Sequence, residues 1–332
     1  MTEEKIMKSN SSNHVQKTLA LAALVMALFC LPAIPSGAMQ QPGEQATVAQ
    51  KGFAKPQQAA EALIKAAESF DLPALLEIVG PDGKDLVSTE DPVQDKNNAL
   101  AFAALAREKQ SVSKDPSDKN RYILSIGNQD WPSPLPIVKR AGKWYFDSKA
   151  GRDEILYRRI GANELNAISV CRGFVEAQLE YASTIHDNSG FHQYAQKLIS
   201  TPGKQDGLYW ENPDGTAGGP ITRGVAKAIE EGYSLSPDSA YSGYYFRLLK
   251  GQGPDAPMGE LDYIIKGMMI GGFALVAVPV EYRVTGVQTF IVNHSGTVYQ
   301  KDLGPDSVNI AKQMERYNPD KTWTPVDDDP VD

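Results

Sequence analysis

Cysteine is almost absent: the 332 residues hold two, Cys30 and Cys171. Histidine is scarce as well, at four residues. Grouped basic residues are missing. The 33 lysines and arginines are outnumbered by 41 acidic residues, for a net charge of −8. Phosphate neutralisation needs clustered Lys and Arg, so this charge pattern excludes nucleic acid and anionic lipid surfaces as partners. Beyond residue 40 no apolar run approaches the roughly 20 residues that cross a bilayer. The chain contains no G-x-S-x-G elbow, no Walker loop and no repeat of solenoid period.

What the chain does have is concentrated first at its start. Lys5, Lys8 and Lys17 precede an apolar stretch, Thr18 to Leu31, and Pro32 and Pro35 end it. Ser36-Gly37-Ala38 then supplies small residues for a cleavage site. The pattern predicts a secretory signal peptide, residues 1–38, and a mature chain that is periplasmic or secreted. A lipobox needs a small residue before the cysteine, and Phe29 precedes Cys30, so lipidation is not expected. Removing 1–38 takes away three lysines and two glutamates, which leaves 294 residues and a charge of −9. Cys171 is then the remaining thiol, and no disulfide can form within the mature chain. It falls on the apolar side of an expected helix, where a thiol is packing rather than a nucleophile.

Residues 39–52 read as a flexible leader. From Phe53 the spacing of Ala59, Ala60, Leu63, Ile64 and Ala67 predicts a helix begun by Pro56. Asp71 and Asp91 are expected to cap two more. After a polar loop at 113–120 the pattern turns to alternation. Strands are expected at Tyr122–Ile126, Leu135–Val138 and Trp144–Phe146, with the stiff corner Trp131-Pro132-Ser133-Pro134 between the first two. A long helix from about Gly151 to Ser183 follows, with a possible break at Gly161 and an apolar stripe of Leu165, Ile168, Cys171, Val175, Leu179 and Ala182. A loop at 203–210 and a short helix within 224–232 come next. Four strands are expected at 243–249, 273–278, 287–292 and 296–300, the last two joined by Asn293-His294-Ser295. A helix from Ser307 to Tyr317 and an acidic, disordered tail at 327–332 complete the reading. The fold class is α+β in two domains, 53–155 and 156–326.

Several long motifs carry a resemblance. SFDLPALLEIVGPDG (69–83), DWPSPLPIVK (130–139), RRIGANELNAI (158–168), STPGKQDGLYW (200–210) and GGFALVAVP with TFIVNHSGTVYQKDLGPD (289–306) resemble the DUF2950 family, exported bacterial proteins whose domain has no assigned function. The resemblance spans roughly 53–326, implies export, and brings no catalytic residue. Residues 53–147, helices then a curved meander, resemble the NTF2-like fold, which implies a pocket. Residues 163–300, a long helix then an antiparallel sheet, resemble a pilin or pseudopilin. No prepilin leader precedes that helix.

Candidate chemistry is sparse. His186 and His192 lack the i, i+4 spacing of helical zinc ligands, and Asp187 to Gly190 lacks the alternation and closing glutamate of a calcium loop. His294 beside Ser295 is explained by the turn. No catalytic residue, metal or cofactor is therefore assigned. The suggestive feature is aromatic crowding in the second half: Tyr209, Trp210, Tyr244 and Tyr245, with Arg247. Such residues are enriched at binding surfaces and are also ordinary strand residues. In the first half Trp131, Trp144, Arg158 and Arg159 are placed at a pocket mouth. These residues make a non-enzymatic binding or interaction module the leading expectation, with an envelope protein or a small ligand as partner. An envelope hydrolase assembled across the fold and a secretion or pseudopilus accessory are the alternatives.

Overall fold

The computed structural model describes residues 49–89, 91–186, 190–221 and 242–327. Among them are both helices and antiparallel sheets, so the fold is α+β. The chain divides between Arg158 and Arg159 into two compact units.

In the first unit, α1 (Pro56–Glu68) starts on proline and buries Ala59, Ala60, Leu63, Ile64 and Ala67 along one face. The short helix α2 (Leu72–Val79) is capped by Asp71, whose Oδ1 accepts the Ala74 N–H at 3.1 Å. A 3-10 turn at Pro81–Gly83 leads to α3 (Lys84–Val87). Helix α4 (Pro92–Glu108) opens the same way as α2: Asp91 Oδ1 accepts from the Val93 and Gln94 amides. Both caps satisfy amide donors that the first helical turn cannot pair.

The sheet runs β1 (Gln110–Lys114), β2 (Arg121–Ile126), β4 (Ile137–Arg140), β5 (Lys143–Phe146), with β3 (Trp131–Pro132) also on β2. Strand β1 begins where helix or loop was expected. Its five residues QSVSK bury none of their number, so no apolar alternation marked it. The proline corner pairs too, with Pro132 opposite Ser125. The presumed leader is also tied down at its end. Gln50 Nε2 donates to the carbonyls of Ile78, Val79 and Phe146 at 3.0, 3.3 and 2.7 Å. Ser148 Oγ donates to Val79 at 2.6 Å. Together they satisfy carbonyls at the C-terminus of α2, which a helix end leaves without partners.

Helix α5 (Ser148–Ala182) is continuous through Gly161. A single helical glycine costs only about 1 kcal/mol, too little to break a helix of this length. Its residues from Arg159 onward belong to the second unit. There Ala167, Ile168, Cys171, Phe174, Val175, Gln178 and Tyr181 are buried, whereas Leu165 and Leu179 are 57% and 51% exposed. At 100° per residue Leu165 lies about 120° around the helix from Cys171, outside the packed stripe.

The remaining strands of the second unit are β6 (Trp210–Glu211), β7 (Ala217–Gly218), β8 (Tyr244–Leu249), β9 (Gly251–Gln252), β10 (Leu261–Asp262), β11 (Ile264–Ile265), β12 (Met268–Met269), β13 (Ala274–Pro279), β14 (Gln288–Asn293), β15 (Val298–Asp302), β16 (Arg316–Tyr317) and β17 (Thr324–Pro325). The principal sheet orders β17-β15-β14-β13-β8, antiparallel throughout. The four expected strands are all in it. The last expected helix is shorter: α6 (Ser307–Gln313) is followed by β16, which pairs in parallel with β9. The helix expected within 224–232 and the acidic tail from 328 lie outside the described residues.

Side-chain amides and carboxylates of α5 fasten the chain that packs on it. Glu164 Oε1 accepts the Val287 and Gln288 amides at 2.8 and 3.0 Å, and Asn163 Nδ2 donates to the Thr285 carbonyl at 2.8 Å. Gln178 is fully buried and bonds the Ala195 backbone twice, donating to its carbonyl at 2.9 Å and accepting its amide at 2.8 Å. Replacing Gln178 with Leu leaves two buried backbone groups unpaired, each worth 1–3 kcal/mol. We expect denaturant unfolding of Gln178→Leu to show a loss of about 2–4 kcal/mol; a loss no larger than that of an exposed substitution contradicts the clamp.

Candidate functional site

The aromatic residues singled out from the sequence divide between core and groove. Tyr244 and Tyr245 are buried, and Tyr209 is 5% exposed. Tyr244 donates its hydroxyl to the Gln288 carbonyl at 2.8 Å, and burial pushes its pKa well up. Arg247 is committed internally: its Nη2 donates to the carbonyls of Ala311, at 2.6 Å, and Met314. These lie at the C-terminal end of α6, where a cation is favoured. Tyr244, Tyr245 and Arg247 are therefore engaged within the unit, whereas Tyr209, though mostly buried, lines an open groove of the unit. Tyr244, Tyr245 and Arg247 lie on β8, where both faces are covered by other elements of the unit.

Trp210 is half-buried, and it sits at the end of a ring series. Tyr181 stacks on His186 at 4.1 Å between centroids, and His186 lies 5.2 Å from Trp210. The indole rests on the backbone of β7: a Cβ on Gly218 would come within 2.3 Å of Trp210 Nε1. That approach requires glycine. His186 Nε2 bonds the Tyr181 carbonyl at 2.9 Å, and its Nδ1 faces Gln205 Oε1 at 3.2 Å. His192 Nδ1 bonds the Ala182 carbonyl at 2.7 Å. Both histidines thus satisfy carbonyls at the end of α5.

Beside this series the loop Thr201–Gln205 forms a ridge between two open grooves. One, of about 710 Å³, is lined by Tyr181, His186, Tyr194, Gln196 and Lys197 and closed by Gly267 and Met268. The other, of about 790 Å³, is lined by Ser200, Thr201, Tyr209, Trp210 and Asn212. Gly203, Lys204 and Gln205 line both. Asp206 builds the ridge. Its Oδ1 accepts the Thr201 amide at 2.7 Å, and its Oδ2 accepts Thr201 Oγ1 at 2.8 Å and Lys197 Nζ at 2.9 Å. Partial burial works to raise its pKa, but the bonds from Lys197 and Thr201 outweigh it and hold the carboxyl down to about 2. Of these groove residues the sequence had marked Tyr209 and Trp210. Lys197, Gln205 and Asp206 carry no local signal, because their convergence depends on the path of the loop.

In the first unit, Trp131 and Trp144 do not line the cleft found there, and neither does Arg158. Trp131 is partly exposed and bonds Gln129 Oε1 at 2.8 Å. Trp144 packs edge-on to Tyr122 at 5.0 Å. Arg158 pairs with Glu154 at 2.7 Å and donates to the Pro132 carbonyl at 2.8 Å. Arg159 belongs to the second unit and is half-buried, its Nε without a hydrogen-bond partner.

Cys171 is fully buried, and burial pushes its thiol up to about 12, which withholds the thiolate a nucleophile needs. Ser295 Oγ donates to Asn293 Oδ1 at 2.6 Å rather than to His294. His294 packs 5.8 Å from the Tyr263 ring, and burial lowers its pKa. Among the described residues no three His, Cys, Asp or Glu side chains are placed to hold a metal, and no helix is long and apolar enough to cross a membrane. Asp187 to Ser189, weighed as a calcium loop, lie outside the described residues.

Residues 50–326 match the family model described as Protein of unknown function (DUF2950). No curated protein and no solved structure matches the chain.

The ridge should respond to acid. Because the folded pKa of Asp206, about 2, lies below the ordinary 3.8, its contribution to stability is complete above the ordinary value and is lost as pH falls toward the folded one. The Tm difference between the wild type and Asp206→Asn is expected to stay constant above pH 3.8 and to close as pH approaches 2. A difference independent of pH over that range contradicts the charge-assisted ridge.

Proposed function

Because the chain belongs to the DUF2950 family, whose activity is unassigned, we propose that it is an exported, non-enzymatic binding module that holds an envelope protein or small ligand at the grooved face of its second unit. The observation carrying this reading is the pair of open grooves sharing the ridge Gly203–Gln205. Clefts of several hundred Å³ with a few convergent polar groups are where proteins hold ligands. Trp210 borders the ridge, and tryptophan is the side chain most often found at interaction hot spots. Exposed Lys204 supplies a cation at the crest. Export rests on the amino-terminal pattern of residues 1–38. The helices and meander of the first unit are read as NTF2-like, and the helix and sheet of the second as pilin-like.

Two measurements test the proposal. Fractionation of cells producing a tagged full chain is expected to recover it outside the cytoplasm with Met39 as its first residue; a cytoplasmic chain beginning at Met1 contradicts export. A photo-reactive residue at position 204 is expected to trap one reproducible product in living cells. Trp210→Ala, with its fold verified by circular dichroism, should cut that yield by roughly tenfold, the effect of losing an interface hot spot. Equal trapping from a control position on α4, such as Leu100, would remove the grooves from consideration.

A further inference from the structure

The first unit encloses a cleft at the seam of α1, α2 and α4, walled chiefly by Leu63, Ala67, Leu75, Leu86, Phe102 and Leu135. Its free volume is about 50 Å³. A single water needs roughly 10–15 Å³ of such space, so a fragment of about four or five heavy atoms fits. Three lining residues are polar, Asp95, Asn98 and Ser133, and of the whole lining only Asp95 is ionisable. Asp95, in the first turn of α4, is only 9% exposed and lines the cleft.

The surroundings of Asp95 are incomplete in charge. Its Oδ2 accepts the Thr89 amide and its Oδ1 accepts the Thr89 hydroxyl, each at 2.8 Å. Among the described residues no Lys or Arg comes within ion-pairing distance of it. Asp is almost never buried without a cation, because desolvating a carboxylate is costly. The amino-terminal end of α4 offsets a part of that cost. Each carboxylate oxygen accepts more than one bond, so both have capacity beyond Thr89. A mainly apolar cleft whose one ionisable lining residue is a carboxylate without a cation disfavours an anion. A purely apolar guest would leave the charge unmatched.

We propose that this cleft is a binding site for a small primary amine with an apolar tail of about four carbons. The ammonium group donates to Asp95, and the tail packs among Leu63, Leu75 and Phe102. The site lies in the other unit from the grooves and is independent of them.

The test titrates the full chain with n-butylammonium, 1-butanol and butanoate, followed by amide NMR shifts in residues 92–105. For a five-atom ligand a Kd in the millimolar range is expected. The amine should bind about tenfold more tightly than the isosteric alcohol, and butanoate should not bind. Asp95→Asn keeps an acceptor for the Thr89 amide and a donor toward its hydroxyl, and should weaken the amine about tenfold while leaving the alcohol unchanged. Ala99→Leu, which fills the cleft, should remove both. The proposal is overturned if the alcohol binds as tightly as the amine, if Asp95→Asn binds the amine undiminished, or if no shift occurs even at roughly 100 mM amine. If Asp95→Asn does not fold, the ratio of amine to alcohol affinity on the wild type decides alone.

Discussion

Strand β13 is buried at every one of its six residues, Ala274 through Pro279. A strand with no solvent-facing side requires cover on both faces, and the rest of the second unit follows from that requirement. Register places Val276 between Arg247 and Ile291 in one row. Arg247 reaches α6 from that row, so this face lies under the C-terminal helix. Tyr244 is three residues away on β8 and by alternation points the other way. There the charge of Glu164, on α5, bears on its hydroxyl. The two faces have different needs: one accepts a cation aimed at helix carbonyls, the other closely packed aromatic and aliphatic groups.

Backbone polarity is the second constraint, and it is met by side chains placed far away in sequence. Irregular segments packed on a core carry amides and carbonyls that must be paired. Gln178 pairs Ala195, Glu164 pairs the turn before β14, and Gln50 pairs the end of α2. Gln252, fully buried, does the same for the loop before β10, donating to the carbonyls of Pro257 and Gly259 at 2.7 Å each and accepting the Tyr263 hydroxyl at 3.0 Å. Burial also pushes Tyr263 up to about 12. In each of these places a side chain gives an irregular stretch of backbone a partner that no strand or helix supplies.

Features written in short-range chemistry were readable. Asp71 and Asp91 cap helices because a carboxylate followed by proline and an apolar run is a local arrangement with a local solution. Four of the five strands of the principal sheet, β8, β13, β14 and β15, span five or six residues with apolar or alternating patterns. By contrast β1 is an exposed edge strand whose composition shows no burial, so nothing distinguishes it from a loop. Leu165 and Leu179 are apolar at helical spacing, yet both lie outside the buried face of the helix. The aromatic crowding was visible, but its meaning was not: the consecutive Tyr244 and Tyr245 are both buried, while Trp210 of the group keeps an exposed edge.

The sequence by itself determined the α+β class, the helix caps, the positions of the central strands and the buried character of Cys171. Each depends on periodicity or capping within about one helix or strand length. Only the tertiary structure decided which aromatic residues face outward, that Lys197, Asp206 and Gln205 converge on one ridge, and that Asp95 lines a mainly apolar cleft with no cation beside it. Those properties depend on which surface covers which. Pairings across dozens of residues set that, and no local pattern encodes it.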